Sequence, residues 1–214
     1  MITFHGYFRS SSSYRCRIAF GLKGVEYDFR PVHLVRGGGE QKTADYRAKN
    51  PQMLVPTVEV EGETLTQSPA ILEWLDEVYP DPPLFPADAI GRAKVRAFCA
   101  AIACEIHPLQ NLRVLNFLTG TLGVDEAGKA DWLKKWIGDG LATCEALVAN
   151  NAKTRFAFGD EPGMADIYLA PQMFSAQRFG VDLTGMPRLC AIAAAYEDHP
   201  AFVAAHPKNQ PDAE

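Results

Sequence analysis

The feature that most constrains the fold of this chain is a proline cluster at residues 80–83, Pro-Asp-Pro-Pro. Proline fixes φ and has no backbone N–H, so this stretch is stiff and cannot continue a helix or a central strand. Before the cluster, short strand-like runs alternate with helical ones, and after it strand signals are essentially lacking. The sequence therefore predicts a small α/β domain followed by an all-helical domain.

The residues before the proline cluster predict the element order βαβ, helix, ββα. Alternation of apolar and polar residues indicates the strands, and serine followed by proline is typical of a helix start. The predicted elements are a strand over 2–7, a helix over 12–23 ended by Gly24, a strand over 26–34, a glycine-rich loop over 35–41, a helix over 43–49, a hairpin through Val58 and Val60 to Thr66 with Gly62 in its turn, and a helix from Ser68-Pro69 with an apolar stripe of Ile71, Leu72, Trp74, Leu75 and Val78.

The residues after the proline cluster show helical periodicity. We predict helices over 91–118, 126–149, 164–179, 189–197 and 201–204, and a polar, loose tail from Pro207 onward. The predicted domains are residues 1–80 and residues 88–214, with residues 81–87 as the linker.

Composition excludes several classes of function. The 214 residues carry a formal net charge of −5, so no overall basic field attracts nucleic acid or an anionic membrane. Neither a transmembrane run nor the pattern of a secretory signal is expected. The five cysteines are odd in number and include no CxxC pair. This favours reduced thiols in a cytosolic protein and argues against a zinc site.

Val55-Pro56-Thr57 places a proline directly before a predicted strand. A cis proline there would turn the preceding backbone groups outward, where an extended peptide can bind as an additional strand. A simple turn before the strand explains the same three residues, and the sequence leaves both interpretations open.

Gln67-Ser68 stands at the predicted start of a helix. The backbone N–H groups of a helix N-terminus and a serine hydroxyl together form a site that suits a carboxylate. The alternative is that Ser68 acts as an ordinary N-cap.

Residues 9–17, RSSSSYRCR, crowd hydroxyls and guanidinium groups where the first helix should begin. A thiol at a helix N-terminus has a lowered pKa, so more of it is thiolate at neutral pH. Cys16 is in the right region, but the apolar residues around it favour core packing. The reactive thiol could instead belong to a ligand.

These three features, in this order and before a helical domain, resemble the cytosolic glutathione transferases, which have an N-terminal thioredoxin-like domain and a C-terminal helical bundle. The stretch YFRSSSSYRCRIA is similar to the zeta class signature YFRSSCSWRVRIAL. The resemblance runs the full length and includes LKGVEYDFRPVHLVRGGGEQ, NPQMLVPTVEVEG, TQSPAILEWLDEVYP, CEIHPLQNLRVL, FGDEPGMADIYLAPQMFSAQRFGVDLTGMP and HPKNQPDAE.

The zeta class resemblance implies a glutathione-dependent cis–trans isomerase acting on a small unsaturated diketo diacid. Maleylacetoacetate is the first expected substrate, and maleylpyruvate is the alternative. Glutathione is the implied cofactor, because its thiolate adds to the conjugated double bond and is returned after rotation. A conjugating or dehalogenating transferase and a glutathione-binding module without catalysis stay open. A homodimer is expected from the resemblance alone.

The resemblance also implies roles for residues of the first domain. Ser10 and Ser11 match the serines that approach the glutathione sulfur, and Ser12 stands where the family has cysteine, which removes a thiol from the site. The remaining cofactor-binding candidates are Gln41 at the glycyl end, Val55 and Pro56 at the cysteinyl backbone, and Gln67 and Ser68 at the γ-glutamyl carboxylate.

In the second domain, the resemblance implies that His107, Asn111 and Arg113 contact glutathione, and it leaves room for His107 to assist proton movement. Arg9 and Arg178 match arginines that meet the substrate carboxylates, with Arg113 as a third candidate. The catalytic candidates are therefore Arg9, Ser10, Ser11, His107 and Arg178.

Three further residues are expected to be structural. One of Arg15 and Arg17 is predicted to cap the helix or to pair with acidic residues nearby, so both are expected to be structural. Asp166, three residues after Gly163, resembles a capping box that carries Gly at the N-cap.

Overall fold

The computed structural model of the protein describes residues 1–151 and 153–214. The chain divides into two compact units, Met1–Pro83 with Asp198–Glu214 and Leu84–Glu197. The sequence pattern grouped the last residues with the helical domain, whereas their packing groups them with the first unit. The predicted boundaries at 80 and 88 stay a prediction.

The first unit contains a mixed sheet, and the described residues form four strands in it, in the order β2-β1-β3-β4. The strands are β1 Thr3–Gly6, β2 Asp28–Pro31, β3 Thr57–Val60 and β4 Glu63–Thr66. β1 runs parallel to β2 and antiparallel to β3, and β3 and β4 form the predicted hairpin. Phe4 of β1 lies opposite Phe29 and Val58 in the register, and both Phe4 and Val58 are fully buried. The predicted thioredoxin-like order of elements is confirmed.

Three helices accompany the sheet in sequence, α1 Ser11–Lys23, α2 Ala44–Lys49 and α3 Ser68–Val78. α1 ends as predicted at Gly24, whose φ of 64° suits glycine and whose N–H donates to Gly21 and Phe20. α3 buries Ile71, Leu72 and Leu75 completely. Val78, predicted for the same stripe, is 51% exposed, so that part of the prediction is wrong.

The second unit consists of helices and the turns between them, and its described residues include no strand, as predicted. Its helices are α4 Ala89–Ala100, α5 Leu112–Gly120, α6 Glu126–Val148, α7 Met164–Arg178 and α8 Pro187–Glu197. A single helix over 91–118 is wrong, because a wider π turn at Ala101–Ile106 and a 3₁₀ turn at His107–Gln110 separate α4 from α5. Pro108 lacks the N–H that a continuing helix needs, and Asn111 caps the new helix by accepting from the Arg113 amide at 3.1 Å.

The start of α7 is held by Asp166, which is 1% exposed. One carboxylate oxygen accepts from the Gly163 amide at 2.9 Å, and the other accepts from the Ala157 amide at 3.0 Å and the Tyr196 hydroxyl at 2.8 Å. Gly163 is required at this cap, because a Cβ there would lie 2.9 Å from the carbonyl oxygen of Leu84. The contacts of Asp166 agree with its predicted structural role.

The last residues return to the first unit. They form α9 Pro200–Ala205 and a 3₁₀ turn at Pro207–Asn209. α9 packs closely against α1, and a Cβ on Gly21 of α1 would lie 3.2 Å from the Ala201 Cβ, a tight contact that glycine avoids. The predicted loose tail is wrong, since the Asp212 carboxylate accepts from the Phe8 amide and Glu214 pairs with Arg36.

Candidate functional site

The start of α1 places a serine hydroxyl at a helix end that carries partial positive charge. Ser10 is the N-cap, and its Oγ accepts from the Ser13 amide at 3.2 Å. Ser13 is fully buried, and its own hydroxyl accepts from the Tyr7 amide at 3.3 Å. Ser11 and Ser12 occupy the first turn and are half-buried. An anion such as a thiolate is favoured at this end of a helix.

Arg9 is exposed and directly precedes this helix end. Its guanidinium donates to the hydroxyl of Tyr7 through Nη2 at 2.7 Å and Nε at 3.2 Å. It also lies 5.0 Å from the centre of the Phe8 ring. These contacts hold a permanently charged, planar donor beside Ser10, where it can pair with a carboxylate.

The start of α3 differs in one detail from the sequence prediction. The helix begins at Ser68, so the cap position belongs to Gln67, which has a φ of 68°. A positive φ at a non-glycine residue is uncommon, and such residues are enriched at functional sites. The Gln67 side chain donates to Gln52 Oε1 at 2.6 Å.

Arg15 is a candidate binding residue, although the sequence predicted only a structural role for it. Its side chain is 2% exposed, and Nη1 donates to the Ser68 hydroxyl at 3.4 Å. A buried guanidinium at a helix N-terminus strengthens an anion site there. The only sequence signal for this role was a charged residue on the buried side of α1. The contact itself could not be predicted, because Ser68 lies 53 positions away.

The Val55–Pro56 peptide bond is cis, as the first of the two sequence interpretations required. Val55 is 8% exposed. The residue before it, Leu54, accepts at its carbonyl from the Tyr46 hydroxyl and from Asn50 Nδ2, both at 2.8 Å. Tyr46 in α2 and Asn50 at its C-terminal end therefore fix the Leu54 carbonyl, directly before the Val55–Pro56 dipeptide.

Gln41 lies in a 3₁₀ turn after three glycines with positive φ, Gly37, Gly38 and Gly39. Its Nε2 donates to Leu34 at 3.3 Å, while its Oε1 is buried without a hydrogen-bond partner among the described residues. A Cβ on Gly39 would lie 2.6 Å from Gln41 Nε2, so glycine there makes room for the amide. An unsatisfied buried acceptor fits a residue that awaits a polar ligand.

In the second unit, His107 and Asn111 bracket the 3₁₀ turn and are half-buried, and Arg113 is exposed on α5. The turn is fixed by Gln172 of α7, which is fully buried and exchanges two hydrogen bonds with Gln110, at 3.0 and 3.3 Å. The Asn111 Oδ1 is engaged as the cap of α5. Its predicted ligand role stays a prediction.

Arg178 lies in the last turn of α7 and is exposed. Its guanidinium lies 5.1 Å from the centre of the neighbouring Phe179 ring. Arg178 and Arg113 belong to one compact unit and Arg9 to the other. The structure therefore brings Arg9, Ser10 and Ser11 together in the loop before α1 and at the start of that helix. It brings Arg15, Gln67 and Ser68 together at the start of α3.

The cysteines, all within the described residues, are free thiols. Cys16 is fully buried, and burial raises the pKa of its thiol to about 12 against the opposing charges of Arg15 and Arg17. Core packing, the favoured sequence interpretation of Cys16, agrees with this environment. Within the described residues, no cluster of His, Cys, Asp and Glu could hold a metal ion, and no helix is long and apolar enough to cross a membrane.

Comparisons with known proteins agree with this arrangement. Residues 9–78 match the family described as "Glutathione S-transferase, N-terminal domain". A maleylacetoacetate isomerase of Pseudomonas aeruginosa is 49% identical over 96% of each chain. A maleylpyruvate isomerase of a Ralstonia species is 48% identical over 97% of this chain and 98% of its own.

Solved structures give the same result. The holo structure of a maleylpyruvate isomerase, described as a bacterial zeta class glutathione S-transferase, is 46% identical, with a TM-score of 0.95 and coverage of 99% of this chain and 100% of that chain. A maleylacetoacetate isomerase of Anaeromyxobacter dehalogenans 2CP-1 holds dicarboxyethyl glutathione and citrate in its active site. It is 39% identical, with a TM-score of 0.88 over 100% of this chain and 94% of its own.

The fold and these matches define the class as the glutathione transferases. Within that class, the chain belongs to the maleylacetoacetate and maleylpyruvate isomerase family, the zeta class.

Proposed function

We propose that the protein is a glutathione-dependent cis–trans isomerase of a small unsaturated diketo diacid, with maleylacetoacetate as the first candidate substrate. The observation that carries the proposal is the loop before α1, where Arg9 stands beside the Ser10-capped helix end. The names of the relatives, isomerases of two such diacids, agree with it.

Glutathione is the cofactor that the described residues fit. Gln41 Oε1, buried and without a hydrogen-bond partner in the described part of the chain, suits the glycyl end, and the backbone at Val55 and Pro56 suits the cysteinyl part. Gln67 and Ser68, backed by Arg15, suit the γ-glutamyl carboxylate. The fit is supported by relatives whose structures hold glutathione or its dicarboxyethyl derivative.

When bound, glutathione supplies a thiolate that adds reversibly to a conjugated double bond. Ser10 and Ser11 hold the sulfur by hydroxyl hydrogen bonds at the positive end of α1, which lowers the pKa of the thiol. Since Ser12 replaces the family cysteine and burial raises the pKa of Cys16 to about 12, the protein itself offers no competing thiolate at this helix end.

The arginines hold the substrate. Arg9 pairs with one carboxylate, and Arg178, with Arg113 as a further candidate, pairs with the other. The positive charge of Arg9 also favours the negative charge that develops on the conjugated carbonyl oxygen. His107 contacts glutathione and is a candidate for moving a proton.

Maleylpyruvate is the second candidate substrate, because relatives with the two names are almost equally similar, at 49% and 48% identity. Arg113 tilts the proposal slightly toward this shorter diacid. A conjugating or dehalogenating transferase would favour a more apolar electrophile site, and a non-catalytic glutathione-binding module would not need Arg9 beside the thiol. We further propose a cytoplasmic homodimer, on the resemblance to the family.

The test is an isomerisation assay of maleylacetoacetate and of maleylpyruvate, each with and without glutathione. The proposal expects turnover of at least one diacid that depends on glutathione, and the ratio of the two kcat/KM values selects the substrate. Turnover unaffected by omission of glutathione would refute the shared mechanism. Conjugation of an apolar electrophile without any isomerisation would favour the transferase alternative.

A further inference from the structure

The loop between β1 and α1 is held at one residue, Phe8, by two charged side chains. The Phe8 amide donates to the Asp212 carboxylate at 3.0 Å, and the Phe8 carbonyl accepts from Arg17 Nη2, also at 3.0 Å. Hydrogen bonds to charged partners are shorter and stronger than neutral ones. Both backbone polar groups of this residue are therefore fixed by side chains that lie outside the loop.

Arg17 connects this loop to the end of the chain. It is 2% exposed, and its Nε donates to the Ala205 carbonyl at 3.0 Å while Nη1 donates to the Tyr7 carbonyl at 3.4 Å. Burial lowers the pKa of Arg17 to about 10, and the charge of Asp212 is among the influences that act against this. Arg17 therefore stays charged at neutral pH. Its partners are carbonyl oxygens rather than the acidic side chains that the sequence suggested.

Asp212 reaches the loop from a tail whose course is itself fixed. The Gln210 side chain donates to the carbonyls of Ala204 and His206, at 2.8 and 3.0 Å. Beyond Asp212, Glu214 pairs with Arg36 at 2.6 Å. The carboxylate at 212 is thus delivered to Phe8 mainly by the Gln210 contacts, because the Glu214–Arg36 pair is solvent-exposed and contributes little.

A shift of Phe8 would pass directly to the neighbouring candidate residues. The Arg9 guanidinium lies over the Phe8 ring, and the Ser10 amide donates to the Tyr7 carbonyl at 3.0 Å, the same carbonyl that Arg17 contacts. The next residue along the chain from Phe8 carries the guanidinium, and the one after it carries the capping hydroxyl. Displacements of about 1 Å at a reacting group can cost on the order of a hundredfold in rate.

We propose that Asp212, acting with Arg17 on the backbone of Phe8, is a positioning residue that sets Arg9 and Ser10 for the isomerisation. The role in turnover rests on the proposed function, whereas the restraint of the loop does not. Neither Asp212 nor Arg17 touches the substrate or the thiol in this scheme.

The experiment compares Asp212→Ala and Asp212→Asn with the wild-type protein, and Glu214→Ala serves as the matched control in the same tail. In Asp212→Ala, we expect a raised pKa of the bound glutathione thiol, measured by thiolate absorbance, and a kcat/KM lowered between about tenfold and about a hundredfold. Asp212→Asn keeps an oxygen that can accept from Phe8, so it should recover most of the loss. Glu214→Ala should behave as wild type.

Hydrogen exchange without any ligand tests the restraint separately. The peptide covering residues 7–13 should exchange faster in Asp212→Ala than in Glu214→Ala. If Asp212→Ala does not fold, Asp212→Asn decides, because its neutral acceptor is weaker and the Phe8 amide should still exchange faster than in the wild type.

Unchanged exchange of this peptide overturns the proposal. A lowered melting temperature with an unchanged thiol pKa and unchanged kcat/KM also overturns it, because Asp212 would then be structural only. A wild-type protein that turns over neither diacid refutes the proposed function instead, and the exchange measurement then decides the restraint alone.

Discussion

The hydroxyl of Tyr46 donates to the carbonyl of Leu54 at 2.8 Å and lies 2.9 Å from Thr57 Oγ1, so one side chain spans both sides of Val55–Pro56. Asn50 contacts the same two oxygens and would remain in a Tyr46→Phe variant. We therefore expect a loss in the free energy of unfolding of only about 1 kcal/mol, and a weakening of glutathione binding by less than about tenfold.

Chemical denaturation and calorimetry measure both effects of Tyr46→Phe. Tyr79→Phe, at an exposed tyrosine of the same unit, is the control. An unaltered glutathione affinity together with the expected loss of stability would show that Tyr46 does not shape the backbone that the ligand contacts.

The two roles of Ser10, cap and sulfur ligand, can be separated with two substitutions. Ser10→Ala should lower the free energy of unfolding by about 1 kcal/mol, whereas Ser10→Gly should cost only a few tenths, since glycine is a good N-cap. Both variants remove the hydroxyl, so both should raise the pKa of the bound glutathione thiol similarly. A wild-type thiol pKa in both variants would assign the sulfur to Ser11.

Arg178→Ala should raise KM for the diacid by more than about tenfold and change the Kd of glutathione by less than about twofold, because a bidentate guanidinium–carboxylate pair is lost. Arg178→Lys keeps the charge but lacks the planar guanidinium fork, so its KM for the diacid should lie between those of the wild type and Arg178→Ala. Steady-state kinetics and a binding titration supply the values. Equal losses in substrate and glutathione affinity would contradict the assigned role.

Glu59 is expected to make the stability of the fold depend on pH in the acidic range. It accepts from Lys49 and from His5, and these hydrogen bonds, Lys49 first, hold the pKa of Glu59 below its ordinary value of 4.5. A carboxyl with a lowered folded-state pKa stabilises the fold above its ordinary pKa, and the contribution disappears as the pH falls through the folded value. Because Glu59 is partly exposed, we expect an effect of at most about 1 kcal/mol.

The measurement is the melting temperature of Glu59→Gln against the wild type over a range of pH. The difference should be largest near neutral pH and should shrink as the pH falls below 4.5. Glu63→Gln, at an exposed carboxylate of β4, is the control and should show little difference. A difference between Glu59→Gln and the wild type that grows on acidification would show that the sign is wrong.

Thiol reagents should distinguish buried from exposed cysteines. Burial raises the pKa of both Cys16 and Cys144 to about 12, whereas Cys104 and Cys190 are exposed. In the native protein at neutral pH, Cys104 and Cys190 should react rapidly, and Cys16 and Cys144 should react only after unfolding. Mass spectrometry of labelled peptides gives the answer, and rapid native labelling of Cys16 would contradict its assignment to the core.

Local patterns predicted the first unit well, because its elements are set by signals close in sequence. Gly24 ends α1 through its own backbone conformation, and β3 and β4 are joined through Gly62, which has a φ of 84°. The break between α4 and α5 was missed although Pro108 and Asn111 are both visible in the sequence. The prediction gave more weight to the apolar periodicity across residues 91–118 than to one proline. In the structure the helix is interrupted there, because Pro108 has no backbone N–H to continue it.

Contacts between distant residues could not be predicted. Arg15 and Ser68 are 53 positions apart, and Phe8 and Asp212 are 204 apart. Contacts at such sequence separations leave no periodic pattern in the sequence. A polar C-terminal segment is therefore predicted to be exposed and loose when its partner is not known. The candidate site residues were predicted from a family resemblance. The side chains that support them, such as the buried Gln172 that holds the turn at His107–Gln110, could be identified only from the structure.

The return of residues 198–214 to the first unit has a consequence for synthesis of the protein. A chain made from its N-terminus presents residues 1–83 long before α9 and the tail exist, and domains usually begin to fold as they emerge. During that interval Arg17 lacks the Ala205 carbonyl and the Phe8 amide lacks the Asp212 carboxylate. The first unit therefore completes its hydrogen bonds only after the whole second unit has been translated.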